Sequence, residues 1–183
     1  MIIGADEVGY GSWAGPLVVC AVKAPAGWSL DGLDDSKKLS AKKRGEALLS
    51  LMKETVIQFS IVEKSNELID QKGLGVCLKE AYVEVITELL GPEDQAIIDG
   101  TVKLSLGSQV TSLIKADQKI PAVMAASIIA KEYRDDLMHK LHIKHPEYNW
   151  LKNVGYGTAD HKAAIKKHGM SDLHRHSYNI KLE

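Results

Sequence analysis

Residues 2–22 read IIGADEVGYGSWAGPLVVCAV, which is two strand-like segments joined by a glycine-rich turn. The first segment, 2–6, opens with β-branched residues, and the second, 17–22, is an apolar run whose valines favour a strand over a helix. Glycines at 9, 11 and 15 and a proline at 16 are turn signals. The stretch predicts a β-hairpin whose first strand ends at an acidic pair, Asp6 and Glu7.

The rest of the chain predicts strands that alternate with helices. Ser40 suits a helix N-cap, Pro121 suits a first helical turn, and glycines at 91 and 169 end helices. The predicted elements are a loop at 25–36, a helix at 41–53, a strand at 56–62, a helix at 74–90, strands at 96–98 and 110–116, a helix from 121 to about 141, a loop at 145–157 and a helix at 158–168. This order favours an α/β protein with a five-stranded sheet of mixed polarity, flanked by helices.

Composition narrows the class of protein. The chain has 183 residues, of which 45% are hydrophobic and 26% charged, as in ordinary globular proteins. This length suits a single domain over 1–183. Lys and Arg number 23 and Asp and Glu 24, so the net charge of −1 excludes the strongly basic class of nucleic-acid binders. A local basic patch beside a local acidic one remains compatible with this balance.

Cysteine usage and apolar runs indicate the compartment. Cys20 and Cys77 are too few for a disulfide scaffold and predict buried thiols in a reducing environment. No basic segment followed by an apolar one opens the chain, so no signal peptide is expected. The apolar runs at 16–22 and 120–130 are shorter than the ~20 residues that a membrane span needs. We therefore expect a cytoplasmic protein without membrane contact, and we further expect a monomer.

Four acids, Asp6, Glu7, Asp99 and Asp117, each lie at a predicted strand end or just after one. Ligand sites of open α/β sheets form beyond strand ends. Converging carboxylates repel one another, so such a cluster needs a cation or raised pKa values. Ligation by oxygen alone favours Mg²⁺ or Mn²⁺ over zinc.

One geometric condition applies to the acidic pair. Neighbouring residues of a regular strand face opposite ways. Asp6 and Glu7 can therefore share a site only if Glu7 lies in the turn or in a bulge, which Gly9 and Gly11 would allow. Each acid alone is equally compatible with an ordinary turn or cap residue, and spacing by itself leaves both interpretations open.

A basic segment accompanies the acids. Between 36 and 53 the charged residues are six cations and Glu46, a local charge of +5. The segment predicts either a solvated helix face or contacts with phosphate groups. The cations of this segment and those near Asp117 are Lys37, Lys38, Lys42, Lys43, Arg44 and Lys53, then Lys115, Lys119, Lys131 and Arg134.

Other catalytic patterns are disfavoured. Seven histidines are present, but they lack cysteine partners and a His-Glu-x-x-His pattern, so a zinc site is not expected. A serine hydrolase would need a Gly-x-Ser-x-Gly elbow, which the sequence does not contain.

A series of short segments recurs in a fixed order over most of the chain: DEVGYG at 6–11, AGPLVV at 14–19, DSKKLS at 35–40, IDG at 98–100, KAD at 115–117, AASIIAK at 125–131, Arg134-Asp135, GYGT at 155–158 with His161, and HRHS at 174–177. Any one of these segments is a weak signal, but their order together is specific. With them the chain resembles the type 2 ribonucleases H (ribonuclease HII).

The resemblance implies a ribonuclease H fold and a metal-dependent endonuclease. Such enzymes cut the RNA strand of RNA/DNA hybrids and nick DNA on the 5′ side of embedded ribonucleotides. They leave a 5′-phosphate and a 3′-hydroxyl by a two-metal mechanism, with Mg²⁺ or Mn²⁺. The catalytic and metal-binding carboxylates of the family correspond to Asp6, Glu7, Asp99 and Asp117.

The resemblance also implies a set of substrate contacts. Tyr156 corresponds to a tyrosine that stacks on the sugar just after the ribonucleotide, and Lys37 and Lys38 to a phosphate contact. Ser127, Lys131 and Arg134 fall on one helix face. We expect the portion from about 142 to help form the substrate groove. The predicted substrate-binding residues are Gly9, Tyr10, Gly11, Ser36, Lys37, Lys38, Lys115, Ser127, Lys131, Tyr156, His161 and Arg175.

Tyr10 departs from the family pattern. The family usually has Gly-Arg-Gly where this chain has Gly9-Tyr10-Gly11, and that arginine helps to recognise the 2′-hydroxyl and the adjacent phosphate. Tyrosine cannot supply a bidentate cationic fork. Two alternatives therefore stay open: a hybrid nuclease with poor activity on single ribonucleotides, or a module that binds hybrids with weak or no cleavage. The segment 178–183 contains no convincing sliding-clamp motif.

Overall fold

The fold is seen in a computed structural model that describes residues 1–33, 36 and 38–182. Lys37, predicted to contact phosphate, lies outside the described residues. The strands are β1 (Ile2–Val8), β2 (Leu17–Ala24), β3 (Gln58–Lys64), β4 (Gln95–Asp99) and β5 (Val110–Leu113). The helices are α1 (Ala41–Leu51), α2 (Asn66–Lys72), α3 (Leu74–Leu89), α4 (Pro121–Lys144), α5 (Trp150–Asn153) and α6 (Ala159–His168), with 3₁₀ turns at Ala116–Gln118 and Pro146–Tyr148.

The five strands form one mixed sheet in the order β3-β2-β1-β4-β5, which confirms the predicted fold class. β1 pairs antiparallel with β2, as the hairpin prediction requires, and β2 pairs antiparallel with β3. β4 is parallel to both β1 and β5. Because the carboxyl ends of parallel strands meet at one edge of a sheet, the acids that end or follow β1, β4 and β5 are brought to the same edge.

Helices cover both faces of the sheet. Alternate residues of β2 divide between the faces: Val19 packs with α3, and Cys20 packs with α4. Cys77 lies in the α3 layer, and both cysteines are buried and free, as predicted. Among the described residues, no helix combines the length and the apolar character needed to cross a bilayer.

Gly4 determines how closely α4 approaches β1. A Cβ atom at this position would lie 2.2 Å from the backbone nitrogen of Val123 and 2.3 Å from the carbonyl carbon of Ala122. Only glycine leaves space for this approach. Ser127 lies about one helical turn beyond Val123, which places it over the end of β1 near Asp6.

Several boundaries differ from the sequence predictions. β1 continues to Val8 instead of ending at 6. β5 ends at Leu113 rather than at 116, because Lys115 adopts a left-handed conformation with φ of 58° and begins a 3₁₀ turn. The short helix α2 was not predicted, although Ser65 caps it by accepting a hydrogen bond from the Leu68 backbone. The loop predicted at 145–157 contains a 3₁₀ turn and α5.

Candidate active site

Asp6, Asp99 and Asp117 converge at the carboxyl edge of the sheet. Ala5 pairs with Ile98, so the next residue of each strand, Asp6 or Asp99, lies at the same level. Asp99 Oδ1 accepts a hydrogen bond of 2.7 Å from the Ala116 backbone and a longer contact of 3.5 Å from that of Asp117. The end of β4 thus holds the turn that carries Asp117, which is buried like Asp6.

Glu7 does not lie in a turn or bulge, so that part of the sequence prediction is wrong. β1 stays in regular register, with Asp6 opposite Cys20 and Glu7 opposite Val19. The two carboxylates therefore leave the strand on opposite faces. They still reach one cleft, because β1 ends at the sheet edge and both side chains line the cleft there.

The cleft has a volume of about 230 Å³. Four of the predicted substrate contacts line it together with Asp6 and Glu7, namely Ser36, Ser127, Lys131 and Tyr156. The hydroxyl groups of Ser36 and Ser127 are 2.8 Å apart. A larger surface pocket, about 500 Å³, lies beside α1, but none of the four carboxylates lines it.

The electrostatics of the cleft favour a bound cation. Burial and the charge of Glu7 raise the pKa of Asp6 to about 7, and Asp99 adds to this increase, while hydrogen bonds from Ser127 and the Glu7 backbone oppose it. Without a cation, burial and the neighbouring carboxylates therefore favour the protonated form of Asp6 more than in a free carboxyl group. A cluster of oxygen donors that repel one another in this way fits Mg²⁺ or Mn²⁺ by donor chemistry.

The carboxylates already have hydrogen-bond donors. Asp6 Oδ1 accepts from the Glu7 backbone at 2.8 Å, and the hydroxyl of Tyr82 donates to Glu7 Oε2. In this arrangement, no group of three or more His, Cys, Asp or Glu side chains within the described ranges could hold a metal ion. Mg²⁺ usually keeps several of its waters and binds through only one or two carboxylates, so a group of three is not a condition for binding it. Sequence reasoning missed Tyr82, because its helical spacing indicates only a core residue.

Tyr156 links the cleft to the glycine turn of residues 9–11. Its hydroxyl accepts a hydrogen bond of 3.2 Å from the Gly9 backbone, and its carbonyl lies 3.0 Å from Nδ1 of His161. The Arg134 guanidinium lies 5.4 Å from the ring centroid, a cation–π distance. The side chain is therefore held through its hydroxyl and its ring, and the backbone through its carbonyl, at the wall of the cleft.

Arg134 is buried, not part of an exposed polar stripe. Its guanidinium donates to the carbonyls of Pro16, Ala14 and Val154 and to the hydroxyl of Ser12, at 2.8–3.1 Å. A Cβ atom at Gly9 would lie 2.2 Å from its Nε, so only glycine fits there beside the arginine. This explains the need for glycine in the turn through packing as well as through its φ of 84°.

Arg175 and His161 do not fit their predicted role as direct substrate contacts, because both are 0% exposed. Arg175 donates to the carbonyls of Gly9 (2.6 Å), Tyr10 (2.9 Å) and Gly15 (3.1 Å). Arg175 therefore fixes the backbone of the glycine turn from the protein interior, while the side chain of Tyr10 is 47% exposed to solvent. Sequence alone could not distinguish a guanidinium that binds phosphate from one that binds carbonyl groups.

The remaining predicted contacts lie at the surface around the cleft. Gly11, Lys38 and Lys115 are exposed, and Lys115 immediately precedes the turn that holds Asp117. Lys131 Nζ is 2.7 Å from Asp135 Oδ1. Arg44, from the basic segment, forms ion pairs with Glu132 at 2.7 Å and with Asp135 at 3.5 Å, so part of that segment's charge is neutralised.

Comparison with known proteins identifies the family. The family model described as Ribonuclease HII matches residues 3–181. A ribonuclease HII of Chlamydia caviae is 42% identical over 178 residues, which are 97% of this chain and 84% of the relative. The ribonuclease HII in a complex with PCNA from Archaeoglobus fulgidus has a TM-score of 0.81 and 28% identity, covering 99% of this chain and 96% of that chain.

A more distant solved structure shares the fold. The Bst ribonuclease HIII in complex with Mn²⁺ has a TM-score of 0.74 and 22% identity, with coverage of 97% of this chain and 67% of that chain. Together with the matches over nearly the whole chain, the carboxylates gathered at the sheet edge lead to one conclusion: this chain belongs to the ribonuclease HII family and is a ribonuclease H endonuclease.

Proposed function

We propose that this endonuclease hydrolyses the RNA strand of RNA/DNA hybrids and nicks DNA on the 5′ side of embedded ribonucleotides. The products would be a 5′-phosphate and a 3′-hydroxyl. The observation that carries the proposal is the convergence of Asp6, Asp99 and Asp117 at one sheet edge, where Asp6 and Glu7 also line a cleft. Family membership supports hydrolysis over the alternative of a module that only binds hybrids.

We assign the four carboxylates as ligands of Mg²⁺ or Mn²⁺ in a two-metal arrangement. Their oxygen-only chemistry and the raised pKa of Asp6 support this assignment. Such ions, when bound, neutralise charge on the phosphoryl oxygens and lower the pKa of water, which is the chemistry that phosphodiester hydrolysis needs. The Bst ribonuclease HIII was solved in complex with Mn²⁺, and a Mn²⁺ site in this chain would be consistent with that structure.

The protein contributes binding and positioning. Ser127 stabilises the ionised form of Asp6 by hydrogen bonding, against the effect of burial. Lys131 lines the cleft, where its charge favours a phosphate group. Lys38 and Lys115 are exposed and suit contacts with the nucleic-acid backbone on either side. These cations would hold the strand so that the bond to be cut lies beside the carboxylates.

The ring of Tyr156 would stack on the sugar that follows the ribonucleotide and so distinguish deoxyribose from ribose there. Tyr156 lines the cleft beside Asp6; Gly9 and Arg134 contact its side chain, and His161 contacts its backbone carbonyl. A fixed aromatic face suits an apolar deoxyribose. The C-terminal portion from about 142 supplies this tyrosine and the buried Arg175, and through them it would form one wall of the substrate groove.

Tyr10 favours a second candidate specificity. Its side chain is 47% exposed at the turn, where it offers one hydroxyl and no cation. An enzyme with this turn would cut continuous hybrids well and single ribonucleotides poorly.

The test is cleavage of two end-labelled duplexes, each with Mg²⁺ and with Mn²⁺. One duplex carries a single ribonucleotide in DNA and the other is a continuous RNA/DNA hybrid, with an all-DNA duplex as control. Nicks on the 5′ side of the lone ribonucleotide, together with cleavage of the hybrid, are the expected result. Cleavage of the hybrid alone would replace the proposal by the second candidate, and cleavage of neither would contradict both.

A further inference from the structure

Tyr82 is a fully buried residue of α3 whose hydroxyl donates a hydrogen bond to Glu7 Oε2. We propose that Tyr82 is a positioning residue that orients the Glu7 carboxylate for binding a divalent cation in the cleft. The inference rests on the proposed role of Glu7 as a metal ligand. It extends the site to the face of the sheet that α3 covers, opposite to Ser127 and α4.

Glu7 needs an orienting partner because β1 is regular at its position. Its cross-strand neighbour Val19 packs with α3, whereas Asp6 lies opposite Cys20 on the α4 face. The side chain of Glu7 therefore starts on the α3 side and has to reach a cleft that Asp6 enters from the other side. A flexible glutamate loses rotamer freedom when it binds a cation, and this loss weakens binding. A hydrogen bond to one carboxylate oxygen restricts the side chain beforehand.

The Tyr82 hydroxyl is suited to this role because the core holds it in place. Its ring belongs to the buried cluster that contains Ile3, Ala5 and Val85, in the layer between α3 and the sheet. Tyrosine has only two side-chain dihedral angles, so packing of the ring fixes the direction of the hydroxyl. Donors to metal-ligating carboxylates typically change metal affinity by about 10–100-fold when they are removed.

A simpler interpretation is that Glu7 merely satisfies a buried hydroxyl, without consequence for metal binding. Tyr82→Phe separates the two interpretations, because it keeps the ring and removes only the donor. The chain offers a matched control in Tyr133→Phe. The Tyr133 hydroxyl also donates to a glutamate, Glu63, but this pair lies on the exposed side of α4 and does not line the cleft.

The experiment titrates each protein with Mn²⁺ alone and measures free Mn²⁺ by electron paramagnetic resonance. Steady-state cleavage of a continuous hybrid is then followed as a function of Mn²⁺ concentration. For Tyr82→Phe we expect Mn²⁺ affinity about 10-fold weaker, an equal increase in the Mn²⁺ concentration for half-maximal rate, and an unchanged KM for the duplex. Tyr133→Phe should match the parent in all three. Parent-like Mn²⁺ binding by Tyr82→Phe would overturn the inference.

Two further measurements keep the outcome unambiguous. Thermal unfolding and the Glu7→Gln/Tyr82→Phe double variant show whether a loss of stability causes the effect. If Tyr82 acts through Glu7, its removal has little further effect on Mn²⁺ affinity once Glu7 is replaced; additive losses would reject the inference. Glu7→Gln alone tests the proposed function. If that variant binds Mn²⁺ and cleaves like the parent, the assignment of Glu7 fails; if it is impaired while Tyr82→Phe is normal, only the inference fails.

Discussion

The Nε2 atoms of His161 and His174 lie 3.1 Å apart in the core of the C-terminal portion. Nδ1 of His161 is 3.0 Å from the Tyr156 carbonyl, so it must carry the proton, and Nε2 of His161 then accepts from Trp150 Nε1 at 3.2 Å. Nδ1 of His174 accepts from the Ser171 backbone at 2.9 Å, so His174 donates from Nε2. With both rings neutral and in these tautomers every ring nitrogen has a partner, and the Nε2 lone pair of His161 is shared between Trp150 and His174.

This histidine pair makes stability depend on pH. Burial lowers the pKa of His161, and burial together with the neighbouring His161 lowers that of His174 from 6.5 to about 4. Between pH 6.5 and about pH 4, His174 is protonated in the unfolded chain but stays neutral in the folded protein. The contribution of His174 to the free energy of unfolding is therefore fully present above pH 6.5 and is lost as the pH falls towards 4. For His174 it is on the order of 3 kcal/mol.

The measurement is urea unfolding at pH 7.5, 5.5 and 4.5, with parent and His174→Phe compared at each pH. The comparison is needed because Asp6, with its pKa raised to about 7, contributes in the opposite direction, stabilising the fold as the pH falls. We expect the difference in free energy of unfolding between the two proteins to shrink towards acid pH. His168→Gln, at an exposed position, is the control and should follow the parent. A constant difference across the series would contradict neutral rings.

The carboxylate assignment predicts loss of cleavage without loss of substrate binding. Asp6→Asn or Asp117→Asn removes a proposed metal ligand, and cleavage should fall by more than about 100-fold, since even outer partners of metal ligands are worth 10–100-fold. Lys38 and Lys115 remain, so duplex affinity measured by fluorescence anisotropy without divalent ions should be retained. Asp160→Asn changes an exposed acid in the first turn of α6 and should leave both readouts unchanged. Full cleavage by either active-site variant would exclude the four-carboxylate site.

Much of the fold could be predicted because the local sequence preferences for strands and helices agree with the elements that pack together in the structure. The valines at 18, 19 and 22 lie within β2, and the stop at Asp99-Gly100 and the helix start at Pro121 correspond to observed boundaries. The error at β5 has a tertiary cause. The Asp99 carboxylate accepts a hydrogen bond from the Ala116 backbone. Lys115, just before Ala116, adopts a left-handed conformation that is incompatible with a continued strand. The helix α2 is short and buries only Asn66 and Ile69. Two buried residues are too few to give a recognisable helical pattern of apolar residues in the sequence.

The position of the candidate site could be predicted more readily than the buried polar residues that hold its parts in place. Acids at the ends of parallel strands converge by topology, so Asp99 and Asp117 followed from strand order. The burial of Arg134 and Arg175 depends on carbonyl groups more than 100 residues away in the chain, to which both arginines donate. The Tyr82–Glu7 hydrogen bond likewise joins elements that sequence periodicity does not relate. Long-range polar contacts of this kind have no local signature.

Tyr156 should contribute through its ring more than through its hydroxyl. Tyr156→Phe loses the hydrogen bond from the Gly9 backbone but keeps the aromatic face, so cleavage at a single ribonucleotide should change little. Tyr156→Ala removes the face, and we expect that rate to fall by roughly 10-fold relative to cleavage of a continuous hybrid. Relative rates for both duplexes, measured at saturating Mg²⁺, check this. An equal fall on both substrates in Tyr156→Ala would indicate that the tyrosine supports the loop instead of reading the sugar.

Tyr10→Arg should raise the preference for a lone ribonucleotide over a continuous hybrid. The side chain at this position is exposed, while its carbonyl is fixed by Arg175 at 2.9 Å and by the Tyr178 hydroxyl at 3.2 Å, so the exchange alters chemistry without moving the backbone. A guanidinium adds a planar fork of donors for the phosphate and the 2′-hydroxyl. Tyr10→Lys is the matched control, because it adds the same charge without the fork and should raise binding to both duplexes about equally. The ratio of kcat/KM values for the two duplexes is the readout, and an identical ratio in parent and Tyr10→Arg would place junction specificity outside the turn.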